Sequence, residues 1–109
     1  MLPKSQRLNL KKDFKWVAAG KKLETPSFKL MFTFNQTNLP KIGIALNSSY
    51  FKKAVLRNRA RRLTSQAVQQ VYQNLPSGLN LVIMPKLGVL DQSVETLTQE
   101  LKNVEHQFK

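Results

Sequence analysis

Residues 52–63 read Lys52-Lys53-Ala54-Val55-Leu56-Arg57-Asn58-Arg59-Ala60-Arg61-Arg62-Leu63. Six cations and one Asn fall between Lys52 and Arg62, and four of the six are Arg. An apolar series runs through them, Leu56, Ala60, Leu63, Ala67 and Val71, spaced four, three, four and four. At about 100° per residue these five lie along one stripe of a helix. Arg57, Asn58, Arg61 and Arg62 fan out across the opposite side. The reading is a single helix from Lys52 to about Asn74, with one face for the core and one face of guanidinium groups for a polyanion. The rest of the chain is its mount.

Immediately upstream, Phe28 to Asn35 alternates strictly. Phe28, Leu30, Phe32 and Phe34 fall on one side, and Lys29, Met31, Thr33 and Asn35 on the other, as in a strand with one buried face. Asn38-Leu39-Pro40 forms a turn, and Lys41 to Leu46 gives a second strand. There Ile42, Ile44 and Leu46 alternate with Gly43 and Ala45, whose small side chains leave room on the second face. Asn47-Ser48-Ser49 is a polar break, after which Tyr50-Phe51 continues as a short third strand or a bulged edge. Further back, Lys21 to Thr25 is a polar connector. A short helix spans Leu10 to Ala19, with Asn9 as its N-cap and Gly20 as a left-handed stop. Leu10, Phe14, Val17 and Ala18 can face inward, and residues 1–8 are expected as a flexible arm.

Downstream, Pro76-Ser77-Gly78 is punctuation. Leu79 to Met84 is a continuous apolar run closed by Pro85, which reads as a buried strand. Lys86 to Leu90 is a loop, and Asp91 or Ser93 caps a last helix. Val94, Leu97, Leu101, Val104 and Phe108 give that helix a core stripe, leaving Glu95, Glu100 and Glu105 to solvent. The order is α-β-β-β-α-β-α in one domain over residues 1–109. That is an α+β fold, a two-layer α-β sandwich.

Charge narrows the function. The chain has 18 Lys and Arg against 6 Asp and Glu, a net charge of +12. Residues 1–62 hold fifteen of the basic residues and only two acids, Asp13 and Glu24. A field concentrated in one half points to a polyanion-binding face, with nucleic acid as the first candidate. Arg suits it, because its planar fork grips phosphate oxygens and stacks on bases. Asn58 can donate and accept at a base edge or a ribose hydroxyl. If all six cations met phosphates, the log–log salt slope would be about −4 to −5. On the first helix Phe14 and Trp16 are interleaved with Lys11, Lys12 and Lys15, the mixture a stacking platform for unpaired bases needs. Taken singly, core packing accounts for either ring.

Other classes find no support. There is no Cys and one His, His106, so thiolate metal sites and disulfides are excluded. Asp13 and Asp91 are isolated, the four Gly are scattered, and no nucleophile–base set assembles. No catalytic residues and no metal ligands are expected in the protein. No apolar run approaches the ~20 residues of a membrane span, and Lys4 and Arg7 precede no hydrophobic block. A cytoplasmic protein, monomeric when free, is the plain expectation. A DNA-binding regulator would need a short helix before the basic one, where Phe28 to Leu46 reads as strands. A membrane-surface helix would need a broader apolar face than this Ala-rich stripe.

At Arg57-Asn58-Arg59-Ala60-Arg61-Arg62-Leu63 the sequence resembles the bacterial ribonuclease P protein component family, whose basic helix carries an Arg-Asn-Arg signature followed by apolar, basic, basic and Leu. Lys52-Lys53-Ala54, Leu8 with Asp13-Phe14, Ile42-Gly43-Ile44, and Leu79 to Pro85 with Lys86 also fit, so the resemblance covers nearly the whole chain. It implies an α-β sandwich with a left-handed β-α-β crossover. It further implies an accessory subunit that binds the catalytic RNA of ribonuclease P and the 5′ leader of precursor tRNA, with Mg²⁺ held by the RNA-containing holoenzyme. Lys52, Lys53, Arg57, Asn58, Arg59, Arg61 and Arg62 would face the RNA subunit. The leader would lie in a cleft beside the first helix, against Phe14, Lys15 and Trp16, on a floor of Lys29, Met31 and Thr33. Ser48-Ser49, Thr64-Ser65-Gln66 and Ala18 depart from the pattern, where the family more often has Lys-Lys, Arg-Glu and a second aromatic. The rival reading is a general basic RNA-binding or ribosomal protein with no role in tRNA processing.

Overall fold

Strand alternation decides the layers. In the computed structural model, which describes residues 3–34, 39–47 and 49–108, four strands form one sheet: β1 (Lys21–Glu24), β2 (Phe28–Phe34), β3 (Lys41–Ile44) and β4 (Leu79–Pro85). Their order is β1-β2-β4-β3. β1 and β2 form an antiparallel hairpin, with Lys22 opposite Met31 and Leu23 opposite Leu30. β2 runs antiparallel to β4, pairing Phe28 with Pro85 and Phe34 with Leu79. β3 and β4 are parallel neighbours, joined through the basic helix α2 (Ala54–Val71). Asn35, Asn38 and Ser48 lie outside the described residues.

Facing residues share a side of the sheet, so Phe28, Leu30, Phe32, Ile42, Leu79, Leu81 and Ile83 form one apolar surface. Helices α2 and α3 (Val94–Val104) cover it, packed on each other and closed by Phe51 and Phe108. Each of these fully buried rings and branched chains is worth ~1.5–3 kcal/mol of transfer free energy. Helix α1 (Leu10–Ala18) packs on the other side, over β2 and β4, with Leu8, Phe14, Val17, Met31, Val82 and Met84 between. β4 is apolar throughout because it is covered on both faces.

Local signals explain the boundaries. Asn9 Oδ1 accepts the Lys12 N–H at 3.3 Å and starts α1, and Ser93 Oγ accepts the Thr96 N–H at 3.2 Å and starts α3. Gly20 ends α1 without the expected left-handed conformation: the one positive-φ residue described is Gly78, at 82°. Gly20 is required by space instead, since a Cβ there would run into the carbonyl oxygen of Phe32. At Gly43 a Cβ would come within 2.5 Å of Leu10 Cδ2, so the small side chain of β3 is what lets α1 seat.

Several expectations are corrected. Lys21 to Glu24 is a strand rather than a connector, and Tyr50-Phe51 is no strand but a turn into α2, with Phe51 fully buried. Phe34 is 42% exposed, although it shares the parity of the core strand residues, because it sits at the end of β2. Lys86 to Leu90, read as loop, falls mostly in a 3-10 turn over Leu87–Asp91. The arm is docked from Lys4 onward: Lys4–Gln6 forms a 3-10 turn, Arg7 pairs with Ile42, and Leu8 is 7% exposed. Glu100 is half-buried rather than free in solvent, with both of its oxygens bound to Ser27. Glu105 is half-buried, with Oε2 enclosed.

Candidate nucleic-acid interface

Helix α2 turns Ala60, Thr64, Ala67, Val68 and Val71 to the core, with Leu56 and Leu63 half-buried at the margins. That orientation leaves Lys52, Lys53, Asn58, Arg59 and Arg62 exposed and Arg57 and Arg61 half-buried. Thr64 tolerates full burial because its hydroxyl donates to the Ala60 carbonyl at 2.7 Å. The helix begins without a side-chain cap at Lys53 and without an acid in its first turn. Its N-terminal end therefore adds positive potential to that of the lysines.

The cations are positioned individually. Arg57 Nη1 donates to the carbonyls of Phe51 and Lys52, at 2.9 and 3.1 Å. Arg59 Nη2 reaches the Leu90 carbonyl at 3.2 Å, tying α2 to the 3-10 turn before α3. Arg61 Nη1 donates to Asn58 Oδ1 at 3.3 Å, so these two form a unit. Among the described residues none of the basic side chains of α2 meets a carboxylate. Among the described residues the one ion pair is Lys86 with Glu24, 3.4 Å apart on the far side of the sheet. Cations at this density repel one another along a helix unless a polyanion neutralises them.

A second surface lies on the α1 side of the sheet. Lys22, Glu24, Lys29, Met31 and Met84 line a concavity of about 470 Å³ there. Phe14 belongs to the same apolar cluster as Met31 and Met84, so α1 packs against two of the residues that line this concavity. The sequence put Phe14, Lys29 and Met31 together; Lys29 and Met31 line the concavity, and Phe14 meets Met31 in the apolar cluster under α1. Sequence reasoning missed Lys22 and Met84. Lys22 was hidden because β1 has only four residues, too few for alternation to register. Met84 looked like part of a uniformly apolar run. Thr33 is half-buried beneath Gly20 at the end of α1, away from this concavity. Lys15 is exposed. Trp16 is 45% exposed and lies about 200° around the helix from Phe14, outside the cluster.

Both surfaces offer cations beside apolar area. Among the described residues no three His, Asp or Glu side chains come together to hold a metal ion. No described helix is long and apolar enough to cross a membrane. Tyr72 has its ionisation pushed up by burial, and its hydroxyl donates to the Pro40 carbonyl at 2.6 Å. That contact anchors the end of α2 and lies outside both surfaces.

Known proteins agree with this geometry. The fold matches the ribonuclease P protein of Thermotoga maritima with a TM-score of 0.82 at 23% identity, over 94% of this chain and 97% of that one. It matches the Staphylococcus aureus protein at 0.77 and 18% identity, covering 97% of each. In sequence it is similar to the ribonuclease P protein component of Nitrosococcus oceani, 35% identical over 78 residues, which are 71% of this chain and 65% of that protein. The component from Pectobacterium atrosepticum is 31% identical over 73% of this chain and 66% of its own length. The matched stretch thus spans slightly under two thirds of these relatives. The profile of the family described as Ribonuclease P matches residues 2–109. With the Arg-Asn-Arg helix, the β1-β2-β4-β3 sheet and this match in agreement, the chain belongs to the ribonuclease P protein family.

Proposed function

We propose that this chain is the protein subunit of ribonuclease P. It binds the catalytic RNA through α2 and the 5′ leader of precursor tRNA beside α1, and so assists removal of the leader in the cytoplasm. The observation that carries the reading is the unneutralised cationic face of α2 in a member of this family. Lys52, Lys53, Arg57, Asn58, Arg59, Arg61 and Arg62 would contact the RNA subunit. The fork of each Arg takes two phosphate oxygens, and Asn58 and Arg61 act as a pair. Phe14 and Met31 would offer an apolar floor to the leader, with Lys22, Lys29 and Lys15 on its phosphates. Thr33 and Trp16 take smaller parts, because neither joins that floor.

In this reading the chain positions RNA and performs no bond cleavage. Divalent ions would be held by the RNA, and among the described residues no three His, Asp or Glu side chains gather to hold one. Cations set close to both the catalytic RNA and the leader lower the repulsion between two polyanions.

The test is reconstitution with a bacterial ribonuclease P RNA at low Mg²⁺, following precursor tRNA cleavage with and without the protein. Strong stimulation that collapses in Lys53→Ala/Arg62→Ala supports the reading. Tight RNA binding without stimulation would leave a basic RNA-binding protein with no processing role.

A further inference from the structure

β3 is the last strand in the sheet order, and its outer edge is only partly covered. The Ala45 N–H donates inward to the Ile83 carbonyl at 2.9 Å, so by alternation Ile42 and Ile44 turn their backbone groups outward. The Ile42 carbonyl accepts from the Leu8 N–H at 2.9 Å. The N–H and C=O of Ile44 have no partner among the described residues. They open onto a concavity of about 320 Å³, walled by Leu8, Leu10 and Ile44, backed by Ser65, and flanked by Arg7 and Arg61.

We propose that this concavity is a subsite for one unpaired nucleotide of an RNA partner, with the base inside and the phosphate on the two arginines. The proposal rests on the reading of α2 as an RNA-binding face and adds a pocket to it. Size favours a single monomer unit, since the volume is at the small end of ligand pockets, roughly 300–1,000 Å³. The edge favours a base over a peptide strand: Arg7 already pairs at Ile42, leaving one donor and one acceptor, too few for strand addition. A base edge presents that same number of groups side by side. The Leu8 and Leu10 walls suit a planar apolar face, which a lone phosphate would leave in contact with water. Among the described residues no carboxylate lines the pocket, and Arg61 is held at its rim by Asn58. The subsite thereby recruits Arg7, a residue distant in sequence from the basic helix, to the same interface.

The test is an amide NMR titration of the full chain with AMP, GMP, CMP and UMP in turn, against inorganic phosphate at matched ionic strength. At least one nucleotide should shift the amides of Leu8, Gly43, Ile44 and Ser65 and saturate in the millimolar range. Arg7→Ala, whose own spectrum reports whether it is folded, should weaken that response by about tenfold. Equal shifts with phosphate alone would reduce the site to a simple anion contact and overturn the proposal. So would silence of those four amides, or shifts that track protein concentration and hence pairing of two copies through the edge. Cleavage stimulation without a nucleotide response removes the pocket alone. A nucleotide response without stimulation removes the subunit reading and keeps the pocket.

Discussion

Arg57 reaches back across the start of α2 to the chain that enters it: its Nη1 holds the carbonyl of Phe51 at 2.9 Å and that of Lys52 at 3.1 Å. Phe51 is fully buried against α2, so this guanidinium fixes the angle at which the chain leaves the core and becomes the basic helix. The first Arg of the Arg-Asn-Arg signature is therefore a structural member as well as a charge.

Arg57 and Arg62 should accordingly part company on mutation. Arg57→Ala leaves two carbonyls without their charged donor and should cost about 1–2 kcal/mol, seen as a lower midpoint in urea. Arg62 is exposed and its guanidinium has no partner among the described residues. Arg62→Ala should leave the midpoint unchanged within error while weakening RNA binding and reducing the salt slope by about one. An Arg62→Ala protein with a lowered midpoint and unaltered RNA affinity would contradict this division.

Glu100 should behave as a core residue despite its charge. Its Oε1 accepts from the Ser27 N–H at 2.9 Å and its Oε2 from the Ser27 hydroxyl at 2.7 Å, joining α3 to the turn between β1 and β2. Charge-assisted bonds of this kind are worth about 1.5–3 kcal/mol each when sheltered, less where half-exposed. Glu100→Ala should destabilise by about 1–3 kcal/mol, with Glu100→Gln intermediate because one oxygen still accepts. Equal midpoints for the three proteins in urea would show that the contact contributes nothing.

Periodicity made most of the architecture legible. The α2 stripe, the alternation of β2 and the apolar run of β4 each follow from one repeating spacing, and together they order the layers. What escaped the sequence has no period. β1 is four residues long, and its membership of the sheet depends on pairing with β2, a tertiary event. Leu8 and Arg7 look like a polar arm until β3 supplies an edge to dock on. Glu100 finds Ser27 across 73 residues of chain, and nothing near either residue announces it. For the site, the composition of α2 marked the cationic face, but which cation is pinned and which is free depends on carbonyls contributed by other segments.

Spacing alone also misjudges the weight of Leu63. It falls on the apolar stripe, yet it is half-buried at the margin of α2, whereas Leu97 of α3 is fully enclosed in the same cluster. Leu97→Ala should cost about 2–5 kcal/mol, the range for a truncated core leucine. Leu63→Ala should cost only about 1–2 kcal/mol, because solvent and neighbours can fill part of the space it leaves. Urea denaturation of the two variants decides it; equal losses would mean that α2 sits deeper on the sheet than these exposures indicate.

Phe14 serves packing and recognition at once, so one substitution cannot separate them. It is half-buried in the cluster with Leu8, Val17, Met31, Val82 and Met84, and Phe14→Ala should destabilise α1 by about 1–3 kcal/mol before any RNA is considered. Phe14→Leu keeps much of the buried volume and removes the ring face. If the ring stacks on a leader base, Phe14→Leu should keep the wild-type unfolding free energy to within about 1.5 kcal/mol while losing about 1–3 kcal/mol of affinity for precursor tRNA. Affinity for mature tRNA, which has no leader, should be unchanged. Affinities measured for both tRNAs with the protein bound to the catalytic RNA make the comparison. Equal losses for the two would take Phe14 out of the leader cleft and leave it as part of the support that seats α1 on the sheet.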